Sequence, residues 1–65
     1  MIILYTTHCP KCKILENKLK SKNIAYITEE DVEKMLSLGM SEVPYLQVGK
    51  EFFDFGAAVR WINNY

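Results

Sequence analysis

At 65 residues the chain has room for one domain, and a domain of that size buries only about 60% of its unfolded surface, which limits its stability. Hydrophobic residues make up 49% of it, enough for a packed core and too many for a disordered segment. Lys plus Arg and Asp plus Glu both number 8, so the formal net charge is zero and no electrostatic case exists for nucleic acid or an anionic membrane.

The first element is Ile2-Ile3-Leu4-Tyr5, a continuously apolar run that predicts a short, fully buried strand. The apolar stretch from Met1 to Tyr5 is far too short for a signal peptide or a membrane span, so a cytoplasmic location is expected. Cys9-Pro10-Lys11-Cys12 follows, and these are the only cysteines in the chain. In a reducing compartment such a pair is expected to be catalytic or metal-binding rather than a structural staple.

A C-x-x-C pair between a strand and a helix has the layout of a reversible disulfide centre. Positions i and i+3 share one helix face, so Cys12 can sit under Cys9. The unpaired N–H groups and partial positive charge of a helix N-terminus favour a thiolate at Cys9. That thiolate is the nucleophile of disulfide exchange. Pro10 falls at the first helical position, where its missing N–H costs nothing.

The helix is expected over Pro10 to Lys20, with Ile14, Leu15 and Leu19 as its apolar positions and Lys11, Lys13, Glu16, Lys18 and Lys20 outward. Ser21-Lys22-Asn23 ends it, and Ile24-Ala25-Tyr26-Ile27 reads as a second strand. Strand, helix, strand at this spacing predicts a parallel βαβ unit. Thr28 and Asp31 match the capping pattern that opens a helix, in which Val32, Met35 and Leu36 form an apolar stripe and Gly39 is the stop.

Tyr45-Leu46-Gln47-Val48 reads as a third strand, Gly49-Lys50 as a type II′ turn and Glu51-Phe52-Phe53 as the returning fourth strand. Asp54 caps a last helix in which Ala58, Trp61 and Ile62 share a face. The expected class is α/β, in the order β-α-β-α-β-β-α, with a four-stranded mixed sheet and three helices.

In this order, with Cys9-Pro10-Lys11-Cys12 after the strand Ile2-Ile3-Leu4-Tyr5 and with Val43-Pro44 opening strand three, the whole chain resembles the thioredoxin superfamily. It looks like a glutaredoxin or glutaredoxin-like redoxin. The resemblance implies a thioredoxin-like fold and dithiol–disulfide exchange, with Cys9 as nucleophile, Cys12 as resolving thiol and no bound cofactor. It implies that Pro44 is cis beside the cysteines, leaving the backbone of Val43 free to pair with a substrate as an added strand. Implied partners are disulfide-containing proteins, ribonucleotide reductase among them, met by a monomer.

Two segments depart from the glutaredoxin pattern. Thr6-Thr7-His8 holds no Lys or Arg before the first cysteine, and Phe53-Asp54-Phe55-Gly56 has no paired glycines opening the last helix. Both features usually grip glutathione, so a thioredoxin reductase is as good an expected reductant as glutathione.

Around the cysteines, Lys11 is expected to favour the thiolate and attract anionic partners, and His8 either tunes Cys9 or is a solvated loop residue. Tyr5 is either packed or substrate-facing, and Asp54 is a helix cap that can also hold a substrate amine. Pro10, Val43 and Pro44 complete the expected substrate contacts. The alternative is a small C-x-x-C metal carrier for copper or zinc without redox turnover. That reading expects β-α-β-β-α-β and gives Val43-Pro44 no place.

Overall fold

The computed structural model describes residues 1–7 and 9–65. The chain is α/β, with elements β1 (Ile2–Tyr5), α1 (Pro10–Ser21), β2 (Ile27–Glu29), α2 (Val32–Ser37), β3 (Tyr45–Val48), β4 (Glu51–Phe53) and α3 (Phe55–Asn63). The strands form one mixed sheet in the order β2-β1-β3-β4. β1 and β2 are parallel, with Leu4 beside Thr28, and the β1–β3 and β3–β4 pairs are antiparallel. The β-α-β-α-β-β-α order expected from the sequence is the order found. Among the described residues no helix is long and apolar enough to cross a membrane.

Strand alternation divides the core in two. Leu4 and Leu46 point to the face covered by α1 and α3, where they pack with Leu15, Leu19, Ile24, Ala58 and Ile62. Tyr5 points to the other face and packs with Met35 of α2 and with Met40, against Ile3, Val43 and Tyr45. The buried stripe of α1 is Cys12, Leu15 and Leu19. Ile14 belongs to the opposite side and is 44% exposed, which corrects its place among the core positions.

Two boundaries also move. The expected strand over Ile24 to Ile27 begins only at Ile27, because Ile24 is taken up in ending α1. Asn23 adopts a left-handed φ of 57°, its N–H donates to the Lys20 carbonyl, and the Ile24 N–H donates to the Leu19 carbonyl. This is a Schellman motif with Asn in place of the usual Gly, and Ile24 closes it by packing with Leu19 in the core. α2 ends the same way: Gly39 has φ 84°, the Met40 N–H donates to the Met35 carbonyl, and the two methionines pack together.

The cap of α2 is Asp31, not Thr28. Asp31 Oδ1 accepts the N–H groups of Glu33 and Lys34 at 3.0 and 3.2 Å, while Thr28 lies within β2 opposite Leu4. Asp54 caps α3 as expected, accepting the Ala57 N–H at 2.9 Å.

Candidate functional site

β1 delivers the chain directly to the cysteines. Tyr5 pairs with Tyr45, so Thr6 and Thr7 leave the sheet beside the point where Val43 and Pro44 enter it. The Val43–Pro44 peptide is cis and Pro44 is buried. Cys9 is the N-cap of α1, with Pro10 at the first helical position. The Lys13 N–H closes the first turn on the Cys9 carbonyl at 3.1 Å.

Both cysteines are free thiols. Their Sγ atoms lie 2.7 Å apart, about 0.7 Å beyond the ~2.05 Å of a disulfide bond. The Cys12 N–H donates to Cys9 Sγ at 3.3 Å, the helix-start contact that favours negative charge on that sulfur. Cys12 is fully buried, whereas Cys9 keeps part of its surface. Of the two sulfurs, only that of Cys9 belongs to a residue with surface open to solvent.

Burial pushes the Cys12 thiol up. The Cys9 side chain, the Thr6 hydroxyl and the backbone at Thr7 and Cys9 all hydrogen-bond its sulfur, and together they outweigh burial and bring it below its ordinary value. The two free thiols are hydrogen-bonded to each other, and Cys9 is the partly exposed member of the pair.

Thr6 is a contributor that the sequence reading passed over. It is fully buried, and a buried hydroxyl needs a partner. Its position just outside an apolar strand and just before the cysteines is the signal that could have found it. Phe55 is another: the Lys11 ammonium sits over its ring, 5.4 Å from the centroid. Lys11 is exposed and leans toward α3 and the residue after the Asp54 cap. The structure thereby brings Lys11 and Asp54 to the same end of the molecule.

Tyr5 is corrected. It is 2% exposed, donates its hydroxyl hydrogen to Gln47 Oε1 and stacks on Phe52 at 6.2 Å between centroids, which leaves it no surface for substrate. His8 lies outside the described residues.

Val43 and Thr7 form one end of an open groove of about 170 Å³ that runs along α2. Among the described residues no group of three or more His, Cys, Asp or Glu side chains is placed to hold a metal ion together. In comparisons with known proteins, no family model, no curated protein and no solved structure matches the chain.

Proposed function

We propose that this chain is a dithiol–disulfide oxidoreductase of the glutaredoxin-like kind on a thioredoxin-like fold. The observation that carries the reading is the thiol pair: two free sulfurs 2.7 Å apart, one reachable and one buried, at a helix start beside a cis-proline. The four-stranded mixed sheet with α1 and α3 on one face and α2 on the other is compatible with that fold.

The chemistry follows from the two burials. Cys9 attacks one sulfur of a substrate disulfide along the line of its S–S bond. A Cys9–substrate bond forms, the substrate's own S–S bond breaks, and the second substrate sulfur leaves as a thiolate that takes a proton. Cys12, deprotonated, then attacks Cys9 Sγ. The Cys9–Cys12 bond forms, the mixed disulfide breaks, and the remaining substrate sulfur leaves. The substrate gains two electrons and two protons, and the protein is left oxidised.

Two molecules of glutathione, or a flavoprotein thioredoxin reductase, must return those electrons. The backbone of Val43, next to the cis peptide, is placed to align an extended substrate segment. Cytoplasmic disulfide proteins, ribonucleotide reductase among them, are the partners this reading implies.

The test is turnover of a glutathione mixed disulfide with glutathione and glutathione reductase, run beside NADPH and thioredoxin reductase, with Cys9→Ser as control. Turnover lost in Cys9→Ser supports the reading, and the productive arm names the reductant. Silence in both arms with the thiols intact and reduced overturns it, and tight copper or zinc binding by the same thiols would then install the metal-carrier reading.

A further inference from the structure

The net charge of zero hides a separation of charge. Residues 11 to 22 carry Lys11, Lys13, Lys18, Lys20 and Lys22 against Glu16 alone. Residues 29 to 42 carry Glu29, Glu30, Asp31, Glu33 and Glu42 against Lys34 alone. The Lys34 ammonium is already bonded to Glu29 at 3.0 Å. α1 and α2 lie on opposite faces of the sheet, so one face is basic and the other acidic, and the thiols open the basic helix. Lys11, the cation nearest the cysteines in sequence, leans on Phe55 at the α3 side rather than toward α2.

The acidic side holds the groove. Its apolar wall is Val32, Leu36 and Met40, its near end is Thr7 and Val43, and Glu42 stands on its rim. Val32 and Leu36 are 52% and 64% exposed, a large apolar surface for a six-residue helix to show to water. Glu33 is three residues before Leu36 and so flanks it on the helix surface. The near end of the groove abuts the thiols, because Thr7 is two residues before Cys9 and Val43 precedes the cis-proline.

We propose that this groove selects the protein substrate: it takes a segment that presents an apolar side chain next to a Lys or Arg, close to the disulfide that Cys9 attacks. The apolar side chain fills the space between α2 and Val43, and the cation meets Glu33 and Glu42. A substrate rich in carboxylates is disfavoured at the same place by like charge. The inference rests on the disulfide-exchange reading for its substrate, but the groove can be tested apart from the chemistry.

Two probes settle it. The first is a pair of otherwise identical peptides, each with a short disulfide loop, carrying Leu-Lys or Leu-Glu beside the loop. Their reduction by the pre-reduced protein is followed in single turnover, and each rate is divided by the same protein's rate on hydroxyethyl disulfide. The Leu-Lys peptide is expected to react about tenfold faster or more at low ionic strength. The ratio should shrink toward one at high salt, where the screening length falls to ~3 Å. Glu33→Gln with Glu42→Gln should shrink it too, and Leu36→Ser should slow both peptides relative to hydroxyethyl disulfide.

The second probe is the same pair with the loop cysteines replaced by serine, added to protein labelled at its methyl groups. Shifts at Val32, Leu36 and Val43 with the Leu-Lys peptide alone are expected. Equal normalised rates for the two peptides, or no methyl shift with either, overturns the groove. Methyl shifts without reduction of any disulfide would leave the groove standing and remove the oxidoreductase reading instead.

Discussion

The backbone N–H of Cys12 donates to the sulfur of Cys9 at 3.3 Å, so each cysteine does a structural job for the other. Cys9 satisfies an N–H that a helix start leaves without a partner. Cys12 heads the buried stripe that fixes α1 to the sheet and so holds that N–H in place. Cys9 is thereby part of the helix cap, and its geometry depends on packing beneath it.

Serine is a better cap than cysteine and a far poorer nucleophile toward disulfides. Cys9→Ser is expected to abolish disulfide reduction while leaving the reduced protein's thermal midpoint equal or higher. Cys9→Ala, which removes the cap, should lower stability by ~1 kcal/mol. Cys12→Ser should stop the reaction after its first step, with a mixed disulfide at Cys9 visible by intact mass. Paired urea melts and mass spectra check all three. Loss of stability in Cys9→Ser as large as in Cys9→Ala would remove the cap from the account.

The Cys12 thiol sits below the ordinary thiol value of 9.0, so its ultraviolet thiolate absorbance should grow in at lower pH than that of a free cysteine. Because the folded value is depressed, the reduced protein's stability should rise with pH between the folded value and 9.0, where the unfolded chain binds the extra proton. That contribution is lost as pH falls through the folded value. Thr6→Val removes a hydrogen bond to the Cys12 sulfur while keeping the side chain's shape, and should move the absorbance inflection up. An unmoved inflection would assign Thr6 to packing alone.

Ile14 and Leu15 are neighbours in sequence with opposite surroundings. Leu15 is fully buried and Ile14 is 44% exposed. Leu15→Ala is expected to cost about 2–5 kcal/mol, enough to unfold much of so small a chain. Ile14→Ala should stay within about 1 kcal/mol, as surface changes do. Urea midpoints of the two variants, compared at equal slope, decide it.

The same pair shows where the sequence was readable and where it was not. Element order was legible because short apolar runs, the Asp54 cap and one Gly-Lys turn each have a local cause, while Thr28 was read as a cap that Asp31 provides. The thiol centre was legible because its residues are adjacent. Ile14 was misplaced because an apolar residue beside two others looks like one face until the helix phase is fixed by Cys12, Leu15 and Leu19. Ile24 was drawn into a strand because a Schellman closure with Asn at the left-handed position lacks its usual glycine. Thr6, Phe55 and the α2 groove escaped because their roles come from chain segments far apart in sequence. The cis state of Pro44 entered only through the family resemblance, since an X-Pro dipeptide carries no local mark of it.

Glu29 and Lys34 tie the end of β2 to α2 across the Asp31 cap. Lys34 donates to Glu29 Oε1 at 3.0 Å and the Asp31 N–H donates to Glu29 Oε2 at 3.3 Å. These bonds, the Lys34 one first, hold the Glu29 carboxyl below its ordinary value of 4.5. A depressed acid stabilises the fold above its unfolded value and loses that contribution as pH falls through the folded one. The connection between β2 and α2 should therefore loosen on acidification below about pH 4.5, with hydrogen exchange at Glu33 and Lys34 rising before exchange in α1. Lys34→Gln should raise the Glu29 midpoint seen by carboxyl NMR and bring the loosening to higher pH. A Glu29 midpoint unchanged by that substitution would show the pair to be incidental and place the anchoring of α2 on Met35 and Met40 alone.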